Sequence, residues 1–179
     1  MTKYLMILAA LFALVACGGD DGNDPVDNDP VDDNTQPDAD TTPVWVTDKT
    51  YAGLEWSPLS ENKINWQDAI DYCESIGSRL PTITELRKII INCPSSTYGG
   101  ACGVSDPDCL DSSSDCWEEE ACRCDGTADS YSALGDGEIT LWSSSSHSYF
   151  TSSAWYVYFK LGIVNHFQKY NDALVRCVR

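Results

Sequence analysis

Basic residues and histidine are scarce in this 179-residue chain: 11 Lys and Arg stand against 28 Asp and Glu, with two His. The resulting net charge of −17 excludes a protein that grips nucleic-acid phosphates, which needs a basic face. Two histidines far apart in sequence leave little material for acid–base or metal chemistry. Long apolar runs are missing as well. The run Tyr4 to Ala16 covers 13 residues, whereas a membrane-spanning helix needs about 20. Cysteine is the exception, with nine in a short chain, which argues for an oxidising compartment rather than the cytosol.

The amino terminus reads as an export signal. Lys3 precedes the short apolar run, whose length suits a signal-peptide core over residues 1–16. The run ends Leu14-Val15-Ala16-Cys17, which resembles a bacterial lipobox. That resemblance implies a diacylglycerol on the Cys17 sulfur, cleavage before it and an anchor in the membrane. The alternative is an ordinary signal peptide with an incidental cysteine. Setting Cys17 aside leaves eight cysteines, an even number able to pair completely. Gly18 and Gly19 follow with no aspartate directly after Cys17, which by similarity to enterobacterial sorting favours the outer membrane over the inner.

Residues 17–43 are a spacer. Gly18 to Pro43 holds nine Asp and four Pro, no Lys or Arg, and a five-residue repeat at Asp24-Pro25-Val26-Asp27-Asn28 and Asp29-Pro30-Val31-Asp32-Asp33. Such a segment buries too little apolar area to offset its ordering entropy, so it is expected to be an extended, disordered tether. No stretch of it matches a twelve-residue calcium loop.

One domain is expected over 44–179, of the α+β class. Trp45-Val46 and Tyr51 to Trp56 read as short strands around a turn at Asp48-Lys49. Asn65 caps a helix whose buried face is Trp66, Ala69, Ile70, Cys73 and Ile76, ended by Gly77. Thr82 and Glu85 form a capping box for a second helix with the stripe Leu86, Ile89, Ile90. Trp155, Val157 and Phe159 alternate with Tyr156 and Tyr158, a strand burying one face. Ile139 to Trp142, Val164 to Phe167 and Leu174 to Val178 complete a twisted antiparallel sheet.

Residues 93–137 interrupt this pattern. They carry six cysteines, eight serines and ten acids against one base, Arg123, with only Val104, Leu110 and Leu134 as large aliphatics. Cysteine pairs rather than a hydrophobic core are expected to hold this insert. The rest of the domain has nine bases and nine acids, so a neutral scaffold displays an acidic insert. Cys93, Cys102, Cys109, Cys116, Cys122 and Cys124 allow 15 connectivities, and all stay open. Cys122 and Cys124 are too close to bond each other without strain.

Several motifs together resemble the Lcl C-terminal domain family, named for the end domain of a bacterial collagen-like adhesin. They are Gly53-Leu54-Glu55-Trp56, Trp66-Gln67-Asp68-Ala69-Ile70-Asp71-Tyr72-Cys73 and Arg79-Leu80-Pro81-Thr82-Ile83-Thr84-Glu85-Leu86. Beyond the insert, Leu141-Trp142-Ser143-Ser144-Ser145, Ala154-Trp155-Tyr156-Val157 and Val175-Arg176-Cys177-Val178-Arg179 continue the match. The resemblance implies a C-type-lectin-like fold in which the first helix is disulfide-bonded to the last strand, here Cys73 to Cys177. It also implies a binding role in adhesion at the cell envelope. Nothing carries over to the insert.

The sugar-binding calcium motifs of C-type lectins are absent; Asn171-Asp172 follow Tyr170 rather than tryptophan. No cofactor is therefore expected. Asp106, Asp108, Asp111, Asp115 and Glu118 to Glu120 are open to two readings, a structural calcium site or a solvated acidic face. His147 and His166 are open to meeting across the strands as a pair or to standing apart in solvent. The insert has neither histidine nor a C-x₂-C pair for zinc, and no enzyme is expected.

Aromatic rings among polar residues are the candidate ligand contacts: Trp117 in the insert, Tyr149 in the serine-rich loop, and Tyr156 and Tyr158 on the far face of the strand. Trp117 is equally open to packing on the insert's own disulfides. The expected protein is a lipid-anchored envelope lipoprotein, periplasmic or surface-exposed, that binds a glycan or an envelope protein. The alternative is a structural envelope component with no small ligand.

Overall fold

The computed structural model describes residues 44–179; Cys17 and the 17–43 spacer lie outside the described residues. The described part is α+β. A hairpin, β1 (Lys49–Tyr51) and β2 (Leu54–Trp56), leads to α1 (Trp66–Ser75) and α2 (Ile83–Lys88). The insert follows, with one 3₁₀ turn at Glu120–Cys122, and then β3 (Thr140–Ser146), β4 (Ser153–Tyr158) and β5 (Ile163–Gln168). The last three strands form an antiparallel sheet in the order β3-β4-β5.

Local chemistry places both helices. The Asn65 side chain accepts the Asp68 N–H at 3.0 Å, and Gly77 ends α1 in a left-handed conformation, φ 67°. At α2, Thr82 Oγ1 accepts the Glu85 N–H while Glu85 accepts the Thr82 N–H, the complete capping box.

Both faces of the β3-β4-β5 sheet are covered. Leu141, Trp155, Val157, Phe159 and Val164 pack with Ile83 and Leu86 from α2 and with Ile89 and Ile90 just past its end. On the opposite face Trp142, Ala154 and Tyr156 pack with Ala69 and Cys73 from α1 and with Ile76 at its C-cap. A disulfide between Cys73 and Cys177, with Cα atoms 5.4 Å apart, clamps α1 to the end of the chain.

Several expectations are corrected. The hairpin turns at Ala52-Gly53, whose φ values of 53° and 81° suit a tight turn, not at Asp48-Lys49. Trp45 forms no strand; its ring lies under the Arg179 guanidinium at 4.7 Å. The serine run belongs to β3, with Ser143 and Ser145 buried. Residues 174–178 make isolated bridges rather than a strand, pairing Val178 with both Trp56 and Arg79.

The insert also differs from a shell held by cysteines alone. Val104, Tyr131 and Leu134 join the α2-side core, as do the half-cystines Cys93, Cys102 and Cys122. Its disulfides are Cys93–Cys124, Cys102–Cys122 and Cys109–Cys116. The insert's return is fixed by Asp136, which takes a two-pronged ion pair from buried Arg176 at 2.6 and 2.9 Å. Arg176 also reaches Asp48 at 2.9 Å.

Candidate functional site

The β3–β4 turn meets the Cys109–Cys116 ring of the insert at one end of the sheet. Ser148 N–H donates to the Leu110 carbonyl at 2.8 Å, and the Trp155 indole N–H reaches the same oxygen at 3.2 Å. Asp106 adds a second seam: it accepts from Thr84 N–H on α2 at 3.1 Å and from Ser145 Oγ on β3 at 2.6 Å.

His147 sits at this junction with no exposed surface. Its ring stacks on Trp155, centroids 5.4 Å apart and 13° from parallel. His166 meets it edge-on at 4.4 Å, and Phe150 lies 4.9 Å away. His147 Nδ1 accepts the backbone N–H groups of Tyr149 and Phe150 at 3.2 and 2.9 Å. Two backbone N–H donors converge on Nδ1 against one, Ser112 N–H at 3.3 Å, on Nε2, which also lies 3.1 Å from Ser112 Oγ; the neutral ring's proton is therefore assigned to Nε2, toward the Ser112 hydroxyl. Burial pushes the His147 pKa below its ordinary 6.5, with the Asp111 carboxylate pulling the other way. Burial and then the neighbouring His147 push His166 down too.

Above this base stands an aromatic tip. Tyr149 is 69% exposed and Phe150 46%, their rings edge to face at 4.9 Å. Phe150 rests its face toward His166 at 5.8 Å. Lys169 N–H donates to Ser152 O at 2.8 Å, which brings the end of β5 alongside the same turn. An exposed aromatic pair on a braced turn can stack on a sugar ring or fill an apolar notch in a protein.

The four candidate aromatics therefore have different positions. Tyr149 is at the tip. Trp117 is half-buried and meets Trp155 edge-on at 6.3 Å, so the α2-side core receives it rather than the insert's disulfides alone. Tyr156 is 9% exposed with its ring 4.3 Å from Phe167, and burial pushes its hydroxyl pKa up to about 12. Tyr158 packs against the same α1-side cluster. Tyr156 is thus buried against the α1-side cluster, while Tyr158 is half-buried at its margin. His147 and His166 do meet, as packed rings with centroids 4.4 Å apart. Among the described residues no group of three or more His, Cys, Asp or Glu is placed to hold a metal ion.

Sequence reasoning missed Arg87. Its side chain is buried, and the guanidinium donates to the carbonyls of Ser96 at 2.9 Å, Thr97 at 2.8 Å, Val104 and Cys102. Burial pulls its pKa down to about 10, and four carbonyl oxygens support the charge at neutral pH. The signal was present: Arg87 falls at i+4 from Ile83, inside the buried stripe of α2. A cleft of about 560 Å³ was also unforeseen. It opens on the other flank of the insert, lined by Asn92, Glu120, Arg123, Asp125, Thr127 and Tyr131. Arg123 forms no ion pair among the described residues.

The sequence model of the family described as Lcl C-terminal domain matches residues 34–179. Comparison with curated proteins and with solved structures gives no match.

Proposed function

The chain belongs to the Lcl C-terminal domain family, and from that premise we propose that it is a lipid-anchored envelope protein whose domain binds a glycan or protein ligand. The observation that carries this reading is the Tyr149–Phe150 pair, exposed and yet braced from below by buried His147. Rings fixed before contact lose little further freedom on binding, which favours affinity. The C-type-lectin-like fold belongs to the same proposal. It is supported by the bond from α1 to the final segment and by the pairing of Arg179 with Glu55 near the start of the domain.

Anchoring through Cys17 is supported by the Leu14-Val15-Ala16-Cys17 motif and by the complete pairing of the other eight cysteines. Gly18 and Gly19 favour the outer membrane, periplasmic or surface-exposed. The acidic insert fits basic proteins or neutral sugars and repels nucleic acid and sulfated chains. The role we propose is that of a binding module rather than an enzyme, and it rests on the exposed Tyr149–Phe150 pair. The reading includes no cofactor, because the sugar-binding calcium motifs of C-type lectins are absent from the sequence.

Arrays of neutral glycans, sulfated glycans and envelope proteins, probed with and without chelator, test the proposal. Binding to neutral glycans or basic proteins that survives chelation is the expected result. Absence of binding throughout, at high protein concentration, would favour a structural envelope role.

A further inference from the structure

His147 does more than fill space. Beside the Ser148 N–H bond to Leu110 O, it is the side-chain link between the turn carrying Tyr149 and Phe150 and the Cys109–Cys116 ring carrying Ser112. Its two bonds to the turn depend on Nδ1 carrying no proton. Neutral, with the proton assigned to Nε2, it accepts two N–H groups at Nδ1 and faces Ser112 Oγ at 3.1 Å, with Ser112 N–H a longer 3.3 Å from the same Nε2.

A second proton has only Nδ1 to occupy. There it would confront two N–H donors at 2.9 and 3.2 Å, turning two attractions into repulsions. The charged ring would also lie 4.4 Å, centroid to centroid, from the other histidine, in a site with no exposed surface. The titratable groups facing it are Asp111 from the insert ring and His166 from β5. Trp155 from β4 and Phe150 from the turn present aromatic faces. Asp111 is exposed enough to be screened and already accepts from Ser113 N–H and Oγ, both at 2.8 Å. The stacked Trp155 face offers a partial compensation that does not relieve the Nδ1 conflict.

We propose that His147 is a proton-operated latch, which when neutral locks the Tyr149–Phe150 tip to the insert and when protonated releases it. The sign follows from linkage. The unfolded or open turn takes up a proton near the ordinary value of 6.5, while the locked turn resists it because its pKa is lowered. Locking is therefore fully present above about 6.5 and is lost progressively as pH falls from there toward the lowered value. The Ser153 N–H bond to Phe150 O at 2.7 Å stays intact, so the turn loosens without unravelling. The consequence for binding rests on the reading of the tip as contact surface; the latch itself does not.

The test needs no ligand. Amide exchange and ¹⁵N spectra of the full chain are followed from pH 7.5 to pH 5, with His147 ring signals recorded in parallel. Exchange at Tyr149 and Phe150, corrected for its intrinsic pH dependence, should rise several-fold in step with His147 protonation. Amides of Cys73 and Cys177 should not change. In His147→Gln, which cannot titrate, that pH response should vanish. Should His147→Gln fail to fold, Asp111→Asn serves instead: removing the carboxylate that favours the charged ring should move the midpoint of the Tyr149 and Phe150 response to lower pH. Protonation of His147 with unchanged exchange at both amides would overturn the latch, as would a pH response that persists in His147→Gln. Failure of every binding assay would leave this result standing.

Discussion

Arg87 donates from Nε to the Ser96 carbonyl at 2.9 Å, and through it a helix holds the backbone of an insert that has few aliphatic side chains of its own. The same guanidinium serves Thr97, Cys102 and Val104, so one side chain satisfies four carbonyls. Replacing it by Met keeps the packed stem and removes every donor. Arg87→Met should cost about 3 kcal/mol or more, since each buried unpaired carbonyl is worth roughly 1–3 kcal/mol. Denaturant unfolding with disulfides intact measures this. Wild-type unfolding should be unaffected by chelator, because the cation that holds these carbonyls is covalent to the chain.

The Cys73–Cys177 bond closes a separation of 104 residues. In the chain-entropy account a loop of that size stabilises by about 4.7 kcal/mol. Cys73→Ser and Cys177→Ser should destabilise about equally, and the double variant should be no worse than either. An additive loss in thermal unfolding would mean the two sulfurs have different partners.

Glu85 closes the capping box and takes a two-pronged pair from Arg79 at 2.6 and 2.7 Å. Burial alone would raise its pKa; the bonds from Arg79 and Thr82 outweigh burial and hold it below the ordinary 4.5. A lowered acid stabilises the fold above its unfolded pKa, and that contribution fades as pH falls below about 4.5. Glu85→Gln should therefore lower stability at pH 7 and show a shallower loss between pH 5 and pH 3. Equal acid limbs for the two proteins would contradict this.

Mass spectrometry of the exported protein should find Cys17 at the amino terminus carrying acyl chains. An intact Ala16–Cys17 bond, or an unmodified Cys17 thiol, would remove the anchor from the account.

The helices were legible because caps are local chemistry: Asn65, Thr82 and Glu85 declare them within four residues. The pairing of β4 was legible from its alternation, but not its second buried face. Tyrosine tolerates half-burial, so Tyr156 and Tyr158 resembled an exposed row, whereas Tyr156 packs under Phe167 and Tyr158 is half-buried. The insert was misjudged for a related reason. Its core contribution comes from half-cystines, Tyr131 and a buried cation, none of which registers in a count of aliphatics. At the site, Tyr149 was readable as an aromatic among serines. The brace beneath it was not, since it depends on Leu110 and Ser112 arriving from 35 or more residues away.

The central claim is that ligand is met at the Tyr149–Phe150 tip, and one measurement bears on it most directly. Titration calorimetry compares the best array ligand on wild type and on the Tyr149→Ala/Phe150→Ala double variant, with Arg123→Ala marking the cleft on the other flank. The account predicts affinity lower by about tenfold or more in the double variant, as befits loss of an aromatic anchor, with unchanged thermal stability and little effect of Arg123→Ala. Undiminished affinity in the double variant, or loss confined to Arg123→Ala, would place the ligand elsewhere and contradict it.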